Sequence, residues 1–216
     1  MSDSAEFIHL LKSSLGAELN EEQISRISLF RDEVLKENDV QNLTRQLSPK
    51  DFFEGHVLDV VHLERSGLLK FPALDLGAGM GVPGILHALI YSPQGEVTWI
   101  SSDSERKKAE FTQRMIEQFA LTGASATPTR GEEILDSQTI ETVVARAVGT
   151  VTKLYGWLRT RSTWNNLVLL KGPKWDEEWR EFQSSPHQGR LVIDKTYEYD
   201  VGNEGKRLKM VRLRRK

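Results

Sequence analysis

Leu74-Asp75-Leu76-Gly77-Ala78-Gly79-Met80-Gly81-Val82-Pro83-Gly84 is the stretch on which the fold turns. A strand-like run, Phe71–Leu76, leads into it, and a run with helical spacing, Pro83–Tyr91, leads out. A glycine-rich loop that leaves a strand and opens a helix is the setting in which such loops hold ligands. Glycines let the chain turn tightly and let its backbone approach a ligand closely. A dinucleotide-binding loop needs Gly-x-Gly-x-x-Gly, so that a pyrophosphate rests on the helix N-terminus. Here the third glycine comes one position early, at Gly81, and Val82 stands where that pattern requires glycine.

Working outward, the alternation continues. Val97–Ser101 reads as a strand, Glu105–Leu121 as a helix and Ala124–Pro128 as a strand. A short helix from Glu132, strand Thr142–Val148, helix Val151–Thr160, strand Leu167–Leu170 and helix Lys174–Phe182 follow. This βαβαβαβαβ order implies an α/β fold, a parallel sheet with helices on both faces. The end differs: Arg190–Tyr199 and Lys206–Arg214 flank Gly202-Asn203-Glu204-Gly205 and predict an antiparallel hairpin. Before Phe71 the pattern is helical. A short helix over Ser4–Leu15 stops at Gly16, and Asn20 caps a helix carrying Ile24, Ile27, Phe30 and Val34. Ser48-Pro49 opens another with Phe52, Phe53, Val57, Val60 and Val61. The predicted organisation is a helical N-terminal extension over 1–70 and a Rossmann-like domain over 71–216.

The 216 residues, 38% hydrophobic and 28% charged, exclude a disordered or collagen-like chain. With no cysteine, disulfides, thiolate metal sites and cysteine nucleophiles are excluded as well. The acidic start Met1-Ser2-Asp3-Ser4-Ala5-Glu6 is unlike a secretory signal. The longest mostly apolar stretch, Val82–Tyr91, is about half the ~20 residues of a membrane-spanning helix. A soluble, cytoplasmic protein without a membrane partner is expected. Residues 1–70 carry 13 acids and 8 bases, and residues 71–216 carry 18 and 21, so the two segments are opposed at −5 and +3. Seven of the eleven residues Lys206–Lys216 are Lys or Arg. Such a tail suits either a solvated edge strand or a contact to a polyanion such as RNA.

The spacing Asp75-x-Gly77-x-Gly79-x-Gly81 resembles motif I of the S-adenosylmethionine methyltransferases. A carboxylate at the strand end suits an ammonium and a sulfonium better than a pyrophosphate. Asp103 closes the next strand, where Rossmann-like folds put an acid against ribose hydroxyls; it or Ser104 could also cap the helix near Glu105. Further matches make the chain similar to the bacterial 16S rRNA methyltransferase G family, also called glucose-inhibited division protein B. They are Asn42-Leu43-Thr44, His56-Val57-Leu58-Asp59, the loop's Pro83-Gly84-Ile85 ending, Asp103-Ser104 with Lys107 and Phe111, Arg130-Gly131-Glu132-Glu133, Arg146-Ala147 and Leu170-Lys171-Gly172. Three departures stand beside them: Lys36-Glu37-Asn38-Asp39-Val40-Gln41 stands where a tryptophan-asparagine pair is usual before Asn-Leu-Thr, Gly55 replaces an arginine usual before the histidine, and Val60 a serine usual after the aspartate.

The resemblance implies transfer of a methyl group from S-adenosylmethionine to N7 of a guanine in 16S rRNA, with the rRNA or the 30S particle as partner. It implies cofactor contacts from Asp75, Gly77, Gly79, Gly81, Val82, Asp103, Ser104, Gly131, Glu132 and Arg146, and substrate contacts from Asn42, Arg146 and Lys171. Guanine N7 carries a lone pair and no proton, so no general base is expected. The residues themselves leave Arg146 open to an internal ion pair and Lys171 to a solvated loop position. The alternatives are a same-fold methyltransferase for another RNA, a protein or a small molecule, and a non-catalytic RNA-binding relative. His56, Asp59 and His62 fall at three-residue steps that drift around a helix, and no metal is expected there. Ser101 and Ser102 have no placed histidine and acid, which disfavours a hydrolase.

Overall fold

A computed structural model describes residues 2–92, 94–202 and 206–216. Helix α1 (Asp3–Leu15) is capped by Ser2 and buries Phe7, Leu11 and Leu15 at four-residue spacing. Helix α2 (Glu21–Gln41) starts with a complete capping box between Asn20 and Gln23 and buries Ile24, Ile27, Phe30 and Val34. It runs on through the polar residues after Val34 and ends at Asn42 in the left-handed region. The helix opened by Ser48-Pro49 is not regular. It comprises α3 (Pro49–Phe52), a π turn (Phe53–Val57) and α4 (Leu58–Ser66). Such wide turns inside helices recur at functional sites.

Among the described residues, seven strands form one sheet: β1 (Ala73–Leu76), β2 (Trp99–Ser102), β3 (Ala124–Thr127), β4 (Ile140–Arg146), β5 (Trp164–Lys171), β6 (Leu191–Val201) and β7 (Lys206–Arg215). Their order is β3-β2-β1-β4-β5-β7-β6. The first five are parallel, β7 is antiparallel to β5, and β6 is antiparallel to β7. The α/β fold with a terminal antiparallel pair is thus as the alternation predicts; the turn at 203–205 lies outside the described residues.

Strand period divides the core in two. Leu74, Leu76, Val143, Leu167 and Leu169 face α7 (Gly131–Ile134), α8 (Val151–Leu158) and α9 (Trp175–Gln183). Ala73, Val144, Val168 and Leu170 face the other layer, with α5 (Gly84–Tyr91), α6 (Arg106–Gln118) and the N-terminal helices in one apolar cluster. The tie includes polar bonds: Gln23 donates to the Ile90 carbonyl at 2.6 Å and Arg26 to that of Phe119 at 2.7 Å. Among the described residues, no helix is long and apolar enough to cross a membrane.

The basic tail is not an edge strand. β7 lies between β5 and β6, hydrogen-bonded on both sides, with Met210, Val211 and Leu213 buried. Its charges are met by acids: Arg212 and Arg214 share Asp194 at 2.6 and 2.7 Å, and Lys209 reaches Glu198 at 3.1 Å. The dense basic run hides the buried alternation beneath it, which is why composition suggests an edge.

Candidate functional site

The glycine loop is built from conformations that side chains resist. Gly77 has φ +71 and Gly79 φ +57. A Cβ on Gly77 would stand 2.8 Å from Val148 Cγ2, whereas one on Gly79 would meet nothing within 4 Å. Gly77 is therefore required by packing as well as by backbone, and Gly79 presents bare peptide to open space. The Gly77 and Ala78 amides bond the Ser102 carbonyl at 2.8 and 2.9 Å, which fastens the loop to the end of β2. The Gly79 amide donates to Asp103 Oδ2 at 2.9 Å, and the Glu105 amide to Asp103 Oδ1 at 2.9 Å. Asp103 thus organises the loop and the turn into α6 together, while Ser104 remains exposed and uncapping.

Beside this loop opens a first cleft. Gly77, Asp103, Ser104, Gly131 and Glu132 all line it, so five of the residues implied by resemblance converge there. Val148 and Trp157 line it too and were not singled out in the sequence. Trp157 lies on the amphipathic face of α8, where its spacing reads as ordinary core. Three implied residues lie beneath the loop rather than in the cleft. Gly81 packs on Ile85 and Thr112, Val82 is buried, and Asp75 is 1% exposed, its Oδ2 accepting from the Gly84 amide at 2.8 Å. Burial pushes the Asp75 carboxyl up to about 7, against the pull of that amide.

Arg146 ends β4 and lies in a second, larger cleft between the N-terminal helices and the β6–β7 pair. The register sets Ala145 opposite Leu76, so Arg146 and Gly77 leave adjacent strands side by side. Ala147, at φ +58, turns the chain between Arg146 in the second cleft and Val148 in the first. Of the two sequence readings of Arg146, the ion pair is realised. Its Nε donates to Asp59 Oδ2 at 2.8 Å, and its terminal nitrogen donates to the Gly55 carbonyl and to His56 Nδ1 at 2.8 Å. Asp59 Oδ1 in turn accepts from the Tyr199 hydroxyl at 2.6 Å. With Nδ1 accepting, the other ring nitrogen of His56 is the one left to donate to Thr44 Oγ1 at 2.9 Å. The π turn supplies Gly55 and His56, which explains its place in the helix.

Burial, reinforced by the Arg146 charge, lowers His56 to about 2; burial and the Asp59 carboxylate push Tyr199 far above the usual tyrosine range. His62 joins neither group. It bonds the Tyr197 hydroxyl at 3.0 Å and stacks on Tyr199.

Lys171 ends β5 next to Arg146, in a third cleft that shares Asp59 and Arg146 with the second. It is not a solvated loop lysine: its Nζ donates to the Gly149 carbonyl at 2.8 Å and to Glu178 Oε1 at 2.7 Å. Asn42 is exposed and outside these clefts, and serves as the left-handed end of α2.

A family model described as rRNA small subunit methyltransferase G matches residues 23–198. The ribosomal RNA small subunit methyltransferase G of Rhodopirellula baltica is 29% identical over 188 residues, covering 87% of this chain and 78% of that protein. The protein of the same name from Mesoplasma florum is 29% identical over 173 residues, covering 78% and 72%. Among solved structures, the magnesium protoporphyrin IX methyltransferase of Synechocystis aligns with TM-score 0.50 and 13% identity over 100% and 98% of the two chains. The Pyrococcus abyssi tRNA (uracil-54, C5)-methyltransferase aligns with TM-score 0.54 and 17% identity over 78% and 41%. At these identities the structural likeness concerns the methyltransferase fold alone.

Proposed function

Because the chain belongs to the rRNA small subunit methyltransferase G family, we propose that it transfers a methyl group from S-adenosylmethionine to N7 of a guanine in 16S rRNA. The observation that carries this reading is Asp103, bonded to the Gly79 amide at the mouth of the glycine cleft. A carboxylate offers about four acceptor positions, and two amides use two of them, which leaves two for vicinal hydroxyls. The open space over Gly79 suits a ligand that approaches peptide directly. These features fit the nucleoside and amino-acid halves of the cofactor. In this reading Gly77, Gly79, Asp103, Ser104, Gly131 and Glu132 hold it, while Asp75, Gly81 and Val82 support the loop from below. When bound, the cofactor supplies a methyl group on an electrophilic sulfonium.

The chain's remaining work is to position an RNA base. Guanine N7 needs no deprotonation, so positioning and electrostatics suffice. Support comes from the network behind Arg146, where His56 is held neutral but already bonded at both nitrogens, and Tyr199 is held protonated. Neither is arranged as a general base. Arg146 marks the substrate side, and Lys171 braces the neighbouring strand end through Glu178. Asn42 starts the segment that carries Thr44 to His56 and Gln46 into the second cleft. Residues 1–70 then act as a helical extension that builds the substrate side, and residues 71–216 as the methyltransferase domain. The base is taken out of its stack to reach the adjacent cleft.

The test is transfer from labelled S-adenosylmethionine to 30S particles lacking the modification, followed by nucleoside analysis. Labelled N7-methylguanosine, lost with Gly77→Val and with Arg146→Ala, is the expected result. Cofactor binding without transfer to the particles would overturn the rRNA assignment.

A further inference from the structure

One short stretch of backbone joins the first two clefts. Residues 147–150 connect the end of β4 to α8; Arg146, just before them, lines the second cleft and Val148 lines the first. Val148 is seated on the glycine loop, its Cγ2 and Cγ1 lying 2.8 and 3.3 Å from where a Gly77 Cβ would stand. Ala147, between the two clefts, holds φ +58, a conformation that a side chain resists and that persists only where the surroundings fix it. The fixing comes from β5 and α9. Lys171 Nζ donates to the Gly149 carbonyl at 2.8 Å, and Glu178 Oε1 accepts from the Val151 amide at 2.6 Å. The same Glu178 oxygen accepts from Lys171 Nζ at 2.7 Å, which closes a ring of bonds around residues 149–151. Glu178 holds an unusual place for a carboxylate. On α9, residues 175, 178, 179 and 182 fall on one face, where Trp175, Trp179 and Phe182 stack in an apolar row. The Glu178 side chain stands in that row only 16% exposed, with Lys171 at 13%. A pair buried this far does not by itself stabilise a fold over apolar replacements. An apolar pair, however, could not hold a carbonyl and an amide of the same loop.

We propose that Glu178 is a positioning residue for methyl transfer: with Lys171 it fixes residues 147–150 as a strut that keeps the two clefts in register. This rests on the methyl-transfer reading and adds to it a residue that lines neither cleft. Transfer depends steeply on the alignment of donor and acceptor, and a misplacement of about 1 Å caused far from the reacting atoms can slow a reaction about a hundredfold. Val148 on the cofactor side and Arg146 on the substrate side are two positions apart, so slack in the strut enters that alignment directly. Without the tie, Ala147 is free to relax, and Val148 shifts relative to Arg146. The glycine loop with Asp103, and Asp59 with His56, still hold the remaining parts of each cleft. Each ligand is therefore bound as before, while the relation between them is lost, which places the effect in kcat.

The experiment compares the wild type with Glu178→Gln, Glu178→Ala and the exchange of Lys171→Glu with Glu178→Lys, below the melting temperature of every variant. It measures kcat and KM for unmodified 30S particles at saturating S-adenosylmethionine, and cofactor affinity and stoichiometry by calorimetry. Glu178→Ala is expected to lower kcat at least about tenfold, with KM, cofactor affinity and stoichiometry as in the wild type. Glutamine keeps an oxygen for the Val151 amide and should retain most of the activity. The exchange keeps an ion pair but sets a lysine donor against the Val151 amide and a carboxylate against the Gly149 carbonyl, so it should stay as slow as alanine. An unchanged kcat in Glu178→Ala, equal losses with glutamine and alanine, a loss carried by KM or cofactor affinity, or recovery in the exchange would each overturn the proposal. A cofactor stoichiometry that falls in step with kcat would do the same, because it marks unfolded protein. Should the exchanged protein fail to fold, the contrast between glutamine and alanine decides alone. Absence of transfer by the wild type would overturn the methyl-transfer reading itself, and the positioning role with it.

Discussion

Replacing Asp75 by asparagine isolates the energetic consequence of burying an acid under the glycine loop. The carboxyl is 1% exposed and ionises at about 7, against 3.8 for an ordinary aspartate. Below about 3.8 it is protonated in both the folded and unfolded chain, and stability is unaffected. Between 3.8 and about 7 the unfolded chain releases the proton and the native state keeps it, so stability falls as pH rises. Above about 7 both are ionised and the full penalty stands. Roughly three pH units at 1.36 kcal/mol each amount to about 4 kcal/mol. Asparagine keeps an oxygen for the Gly84 amide and cannot ionise. Urea unfolding should therefore find the variant and the wild type similar near pH 4, with the variant gaining on the wild type up to about pH 7.5. A stability difference that is flat across this range would refute the reasoning. A cation held nearby favours the carboxylate, so the wild type's affinity for S-adenosylmethionine should also rise with pH toward 7, and the variant's should not.

His56 gives the opposite slope. It stays neutral down to about 2, whereas the unfolded chain takes up the proton below 6.5, so stability falls as pH drops. At pH 5 this term is about 2 kcal/mol, and His56→Gln should recover that much between pH 7.5 and pH 5 in denaturant titrations, whatever its constant effect. Tyr199→Phe leaves Asp59 Oδ1 without its hydroxyl donor and should lower stability by about 1–3 kcal/mol. It should slow methyl transfer through Arg146 without changing cofactor affinity; equal losses in both would point to general unfolding.

The sheet and the first cleft are legible in the sequence because both are written locally. Glycine spacing, strand length and the acid closing β2 each depend on a few neighbouring residues. The network around Arg146 is not written that way. Tyr199 is 140 positions from Asp59, and nothing in its strand's alternation says where its hydroxyl goes. Arg146 reads as either ligand contact or ion pair because the partner lies 87 positions upstream. The π turn is equally hidden, since apolar spacing over Phe52–Val61 suits a regular helix. Lys171 shows the same limit: its partner Glu178 is only seven positions away, but a strand end and a helix turn must be packed before the pair is visible. The basic run at 206–216 misleads for another reason. Charge is conspicuous in a sequence, whereas Met210, Val211 and Leu213 between the charges decide where the strand goes.

The insertion of β7 between β5 and β6 also sets an order of assembly. β6 is made before β7 but touches the sheet only through it. During synthesis the parallel strands and the glycine cleft can form while residues 191–201 still wait for a neighbour. Only when 206–215 emerges can β6 dock and bring the Tyr199 hydroxyl to Asp59. The half of the molecule that carries the glycine cleft is thereby free to mature early, and the clamp on Arg146 closes last, as the sheet gains its final inner strand.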